Sequence, residues 1–186
     1  RDIHGKTLGI IGLGRIGRAV CERAVKGFGM KVIYCDRCAD KKVEKEFNAK
    51  KASMDTLLKA SDYVSLHVPL LPSTRHLISM RELKLMKKTA YLINTARGPV
   101  VHEKALLKAL YAHEIAGAAL DVFECEPAID CDLTDRYELR KLPNVIITPH
   151  AASATIEARD AMARLAAQNI IGVLTNKKSP TLVEIK

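Results

Sequence analysis

The sequence predicts an α/β fold, a doubly wound parallel sheet covered by helices in three αβα layers. Short apolar runs alternate with stretches of helical period along the chain, which is the pattern of strands joined by crossover helices. Right-handed crossovers then wind the sheet in both directions and cover both faces. A glycine-rich turn, Gly12-Leu13-Gly14-Arg15-Ile16-Gly17, stands between the first apolar run and the first helical stretch.

Residues 7–11 read as a buried strand. Residues 15–29 read as a helix, with Ile16, Val20, Ala24 and Phe28 at four-residue steps and Gly29 as its stop. A second strand follows at 31–35. Residues 53–60 form a short helix with Ser53 as N-cap. The third strand, 62–68, is stopped by Pro69. Residues 79–88 are helical, with Met80, Leu83 and Met86 on one face, and 90–94 form the fourth strand. A helix at 103–113 leads to a fifth strand at 116–122, and a short sixth lies at 145–147. A long helix spans about 153–175. Residues 124–144 form the longest irregular stretch, of the kind that is usually functional.

Composition narrows the function classes. The 186 residues are 48% hydrophobic and 27% charged, which excludes disorder, collagen and coiled coil and fits a single domain. No apolar run reaches membrane-spanning length, so no membrane partner is expected. The net charge of +9 suggests anionic partners, but a solvated surface with lysine-rich helices is the more ordinary source of such a balance, and charge alone identifies no partner. Aromatics make up only 4% and Trp is absent, too few for base-stacking surfaces, so a nucleic acid is not the expected one. The chain opens Arg1-Asp2-Ile3-His4, without a signal peptide or an initial Met, and reads as a piece of something longer. Five Cys at 21, 35, 38, 125 and 131 point to reduced thiols in a cytoplasmic setting. Cys35 and Cys38 form a C-x-x-C, but Cys125 and Cys131 are not a second close pair, so no metal is expected.

The glycine turn follows a strand and opens a helix, the context a dinucleotide fingerprint requires. Gly12 permits the tight turn, Gly14 lets the backbone approach a pyrophosphate, and Gly17 lets helix and strand pack closely. Asp36 ends the second strand about 20 residues beyond, where an acid binds the adenosine ribose hydroxyls. Its carboxylate repels a 2′-phosphate, so NAD is favoured over NADP, although Arg37 beside it softens the preference. The fold is therefore of Rossmann type.

Three strand ends carry reactive side chains. The fourth runs Leu92-Ile93-Asn94-Thr95-Ala96-Arg97-Gly98, the fifth continues to Asp121 and then to Glu126, and the sixth ends Thr148-Pro149-His150. Ligands of open parallel sheets bind beyond the carboxyl ends of the strands, so Arg97, Glu126 and His150 are expected in one crevice. The set suits reduction of a ketone. His150 can donate the proton to the carbonyl oxygen, Glu126 can orient the imidazole, and Arg97 can grip a substrate carboxylate.

The chain resembles the NAD-binding domain of the D-isomer-specific 2-hydroxyacid dehydrogenases. The residues that carry the resemblance are the glycine turn, Leu66-His67-Val68-Pro69-Leu70, Asn94 to Gly98, Asp121-Val122-Phe123, Glu126-Pro127 and Thr148-Pro149-His150. It implies Arg97, Glu126 and His150 as the catalytic set. It also implies cofactor contacts from Arg15, Ile16, Thr74, Thr95, Ala96 and Asp121, with His67, Val68 and Pro69 beside them. The substrate class is then a small 2-oxo or 2-hydroxy acid, the assembly a homodimer, and residues 1–186 one dinucleotide-binding domain whose substrate domain lies elsewhere. The resemblance extends to an NAD-sensing module of the co-repressor type and to a dehydrogenase of a non-carboxylate anion such as a phosphonate. His102 stands where the family often has Asp, and His4, His76, His102 and His113 read as surface or turn residues.

Overall fold

The computed structural model describes residues 2–126, 132–177 and 179–181. The chain divides into two compact units, Arg1–Pro149 and His150–Lys186. The first holds a seven-stranded sheet in the order β3-β2-β1-β4-β5-β6-β7, every neighbouring pair parallel. The strands are β1 Thr7–Ile11, β2 Lys31–Cys35, β3 Lys50–Lys51, β4 Tyr63–Leu66, β5 Tyr91–Asn94, β6 Gly117–Leu120 and β7 Val145–Ile147. The helices of this unit are α1 Arg15–Phe28, α2 Lys41–Phe47, α3 Met54–Ala60, α4 Met80–Leu85, α5 Glu103–Tyr111 and α6 Thr134–Lys141.

Period-2 alternation sends the strand side chains to two cores. Leu8 and Ile10 of β1 and Val32 and Tyr34 of β2 pack with Cys21 and Ala24 of α1 and Val43 of α2. The intervening residues face the other way. There Ile11, Val64, Leu66, Leu92, Ala118 and Leu120 meet Leu57 and Leu58 of α3, Leu83 of α4, Leu106 and Leu110 of α5 and Leu139 of α6. The two windings meet between β1 and β4. The chain runs β1-α1-β2-α2-β3 to one edge, and α3 returns it to β4 beside β1.

Several sequence expectations need correction. The apolar stripe read for α1 holds in the middle, where Ala24 is buried and Val20 packs against the core, but not at its ends, where Ile16 and Phe28 are 64% and 54% exposed; Gly17 and Cys21 are the other buried residues of the helix. Strand β3 and helix α2 were not expected. β3 is a two-residue edge strand of lysines with no apolar pattern to reveal it. α2 is made by local chemistry, because Asp40 accepts the N–H groups of Lys42 and Val43 while only Val43 is buried. The stretch read as irregular at 124–144 contains α6, whose charged sequence buries Leu139 alone. Ser53 does cap α3, accepting the Thr56 N–H, and Gly29 does end α1 at φ +60°.

In the second unit Thr155 caps α7, Ile156–Leu174, by accepting the Ala158 N–H. The tail folds back on the helix. Ser179 donates to the Asn169 carbonyl at 3.0 Å, and the Asn169 amide bonds Thr181. No helix among the described residues is long and apolar enough to cross a membrane.

Candidate functional site

The carboxyl ends of β1 and β4 meet where the sheet changes winding direction, the place where open α/β sheets bind ligands. Gly12 turns the chain there at φ +93°, a conformation that disfavours a side chain. A Cβ on it would stand 2.8 Å from the His67 carbonyl, so the turn also lies hard against the end of β4. A Cβ on Gly17 would stand 2.2 Å from the Gly12 oxygen. Gly14 differs: among the described residues, its chain neighbours aside, a Cβ there would meet nothing within 4 Å, so its side of the turn is open. Gly14 is the N-cap of α1, whose first turn has neither a side-chain cap nor an acidic residue. Its N–H groups are therefore available to an anion. Arg15 and Ile16 lie exposed beside this opening.

Asp36 secures the turn. Its Oδ2 accepts the Leu13 N–H at 2.7 Å, while the Gly12 N–H donates to the Cys35 carbonyl at 2.9 Å. Oδ1 accepts the Arg37 N–H at 2.6 Å. A carboxylate offers about four acceptor positions, so two remain for hydroxyl donors.

Beyond β4, the His67 N–H donates to the Ile11 carbonyl at 2.8 Å, and its Nε2 lies 2.9 Å from the Ser65 hydroxyl. Burial pushes the His67 imidazole below its ordinary pKa. As pH falls, the unfolded chain therefore takes up this proton first, and stability is lost below the ordinary imidazole value of about 6.5. His67→Gln is expected to flatten the fall in urea midpoint between pH 8 and pH 5.5; equal slopes in the two proteins would refute this. Val68 packs on the core beside Gly12, and Pro69 is exposed. The Thr74 hydroxyl donates to the Pro69 carbonyl at 2.6 Å and accepts the Leu71 N–H at 2.8 Å, closing the turn.

Beyond β5, buried Asn94 shapes the next loop. Its Oδ1 accepts the Ala96 N–H and its Nδ2 donates to the Arg97 carbonyl, both at 3.0 Å. Thr95 is exposed and Ala96 buried. Arg97 is exposed, and its Nη1 lies 2.6 Å from the Ala96 carbonyl. A Cβ on Gly98 would fall 1.6 Å from the Phe123 oxygen, so this loop lies flush against the segment that follows β6. Asp121 opens that segment. It is buried, its N–H donates to the Asn94 carbonyl at 3.0 Å, and its carboxylate accepts the Thr148 hydroxyl. Glu126 is exposed at the end of the same segment. Pro127 and Cys131 lie outside the described residues.

The glycine turn, Asp36, His67, Val68, Thr95, Ala96, Arg97 and Asp121 thus share the carboxyl edge of one sheet. His150 opens the second unit at φ +52°. Sequence reasoning missed the work of Asn94, Gly98 and Thr148, which hold the loops of that edge. The nearest signal was their presence in the quoted motifs. Reduced thiols hold for Cys21, Cys35 and Cys38, but Cys125 forms a disulfide, a correction to the reading from the odd cysteine count. Burial raises the Cys21 thiol to about 11, which leaves it unreactive.

Residues 1–152 match the family model for the D-isomer specific 2-hydroxyacid dehydrogenase NAD binding domain. A glyoxylate reductase of Thermococcus litoralis is 52% identical over 97% of this chain and 53% of its own length. The crystal structure of the NAD-complexed D-isomer specific 2-hydroxyacid dehydrogenase from Lactobacillus delbrueckii ssp. bulgaricus superposes with a TM-score of 0.88 at 38% identity, over 99% of this chain and 58% of that one. D-lactate dehydrogenase with NAD+ from Lactobacillus jensenii gives 0.90 at 35%, over 100% and 57%. The chain spans about half the length of the curated relatives it matches.

Proposed function

Because the chain belongs to the D-isomer specific 2-hydroxyacid dehydrogenase family and matches its NAD-binding domain, we propose that it binds NAD(H) at the carboxyl edge of β1 and β4 and serves oxidoreduction between a 2-oxo acid and its D-2-hydroxy acid. The observation that carries this is the open side of the glycine turn, where Gly14 leaves room beside uncapped N–H groups of α1. The residues there fit a dinucleotide. The N–H groups donate to a pyrophosphate, and the acceptor positions of Asp36 not used by the Leu13 and Arg37 N–H groups take ribose hydroxyls. Ile16 offers an exposed apolar surface, and Thr74, Pro69, Val68 and His67 border the site from β4.

When bound, the nicotinamide cofactor supplies or receives the hydride. Arg97 holds the substrate carboxylate through its guanidinium fork. His150 gives its proton to the carbonyl oxygen during reduction and recovers it during oxidation, with Glu126 orienting the ring. Asp121, Thr95 and Ala96, at the carboxyl ends of β5 and β6, would hold the nicotinamide end of the cofactor. Residues 1–186 then act as the dinucleotide-binding domain, and turnover needs the part of the enzyme that the relatives carry outside the matched region. Glyoxylate, named for the archaeal relatives, heads the substrate list. A homodimer in the cytoplasm completes the reading, on family resemblance.

A fluorescence titration of the purified chain with NADH and NADPH tests the cofactor site. NADH is expected to bind more tightly. Asp36→Asn, which removes the charge that repels a 2′-phosphate, is expected to narrow that preference by about 10-fold or more. A folded chain that binds neither cofactor would overturn the reading.

A further inference from the structure

We propose that Glu124 is a positioning residue for this reaction: its carboxylate clasps the loops after β4, β5 and β6 together and holds the Arg97 and Glu126 segments in register. The inference rests on the proposed function for its catalytic meaning, while the clasp itself is a matter of geometry.

One oxygen of Glu124 is paired with Nε2 of His76, in the loop after β4. The other accepts the N–H of Glu103, the first residue of α5, at 3.1 Å. Glu103 returns the bond, its Oε1 accepting the Glu124 N–H at 2.6 Å. Two carboxylates thus each bind the other residue's backbone across chain segments that follow neighbouring strands. The His76 side is equally well anchored. Its N–H donates to the Pro99 carbonyl at 2.7 Å, and its ring stacks on His102 at 4.5 Å between centroids. Ile78 then bridges to Val101, so the loops after β4 and β5 are already joined. Glu124 adds the loop after β6 to them.

The placement of the clasp gives it its meaning. Gly98, next to Arg97, is pressed against Phe123 and the Glu124 nitrogen on one side, and Glu126 lies two residues beyond on the other. Burial raises the Glu103 carboxyl pKa, and the neighbouring Glu124 charge raises it further, against the lowering effect of the Glu124 backbone bond. Like charges side by side are a poor way to glue loops. What they provide is charge-assisted bonds to backbone N–H groups, which set main-chain position. Small errors in the position of reacting groups cost orders of magnitude in rate.

The test uses the complete natural polypeptide with NADH and glyoxylate. Glu124→Ala is expected to lower kcat about 10–100-fold with the NADH KM changed less than about twofold. Glu124→Gln is expected to recover most of the loss, because its amide oxygen still accepts the Glu103 N–H and its NH2 can donate to Nε2 of a neutral His76. A residue that only stabilises the fold would not separate kcat from KM or be rescued by the isostere. Amide hydrogen exchange across 97–103 and 121–126 is expected to quicken in Glu124→Ala and return in Glu124→Gln. A kcat within twofold of wild type in Glu124→Ala, or equal damage in both variants, overturns the proposal. If the wild type oxidises no NADH with any 2-oxo acid, the functional reading fails instead. The exchange measurement then decides the clasp alone, and unchanged exchange in Glu124→Ala rejects it.

Discussion

His150→Gln is expected to lower kcat for 2-oxo acid reduction by about 10²–10⁴-fold, with the NADH dissociation constant changed less than about twofold. The reaction puts negative charge on the substrate oxygen, and a general acid there is worth that range of rate. Glutamine keeps a hydrogen-bond donor of similar reach but has no proton to give at neutral pH. The loss therefore falls on kcat and not on cofactor affinity. Arg97→Gln supplies the contrast. It removes the fork proposed to hold the carboxylate, so its main effect is expected to be a raised KM for the acid. Steady-state kinetics on the complete natural polypeptide, with glyoxylate and pyruvate as substrates, separates the two. If His150→Gln retained more than about a tenth of wild-type kcat, the proton-donor assignment would be wrong.

The second large effect concerns two glycines of one turn that should fail in opposite ways. Gly14→Ala is expected to leave the fold intact and to weaken NADH binding at least about 30-fold, or roughly 2 kcal/mol. Among the described residues, its chain neighbours aside, the added methyl meets nothing within 4 Å and so projects into the space where a pyrophosphate would lie. Gly17→Ala is expected to do its damage in the fold. Its Cβ would stand 2.2 Å from the Gly12 oxygen, and a carbonyl in a tight turn cannot move aside as the end of a flexible side chain can. Overpacking of this kind costs about 1–3 kcal/mol, a fall in Tm of roughly 3–10 °C for a domain of this size. Thermal melts and NADH titrations on both variants read the two axes separately. A Gly14→Ala protein that binds NADH normally would remove the pyrophosphate from this turn.

The two glycines also mark how far the sequence could be read. Their spacing, the strand before and the helix after are local features, and local features leave local signals: apolar period, a cap, a stop. For the same reason Ser53 and Gly29 are legible as cap and stop in the sequence alone. The ends of the α1 stripe are not. Four-residue steps make Ile16 and Phe28 look like core residues, as they do Val20 and Ala24, which do pack inward. In the fold the small residues Gly17 and Cys21 join Ala24 against the sheet and let the helix approach β1 closely, while Ile16 and Phe28 are exposed. Helix α6 was illegible for a related reason: a helix that buries one leucine has no stripe to detect.

By itself, the sequence determined the alternation of strand and helix, the glycine turn between β1 and α1 with an acid at Asp36 after β2, and the order of Arg97, Glu126 and His150 along the chain. These depend on residue type and spacing over one or two elements, and that much information is contiguous in the chain. Only the tertiary structure decided how the loops at the carboxyl edge are held: Asn94 folded under Arg97, Gly98 flush with Phe123, Thr148 on Asp121, and His76 joined to Glu124 across 48 positions of chain. No residue type announces such a bond. A Glu in a charged loop and a His in a turn look solvated until sheet order brings β4, β5 and β6 side by side. Their partners are chosen by strand adjacency, a property of the folded sheet that no stretch of the chain carries alone.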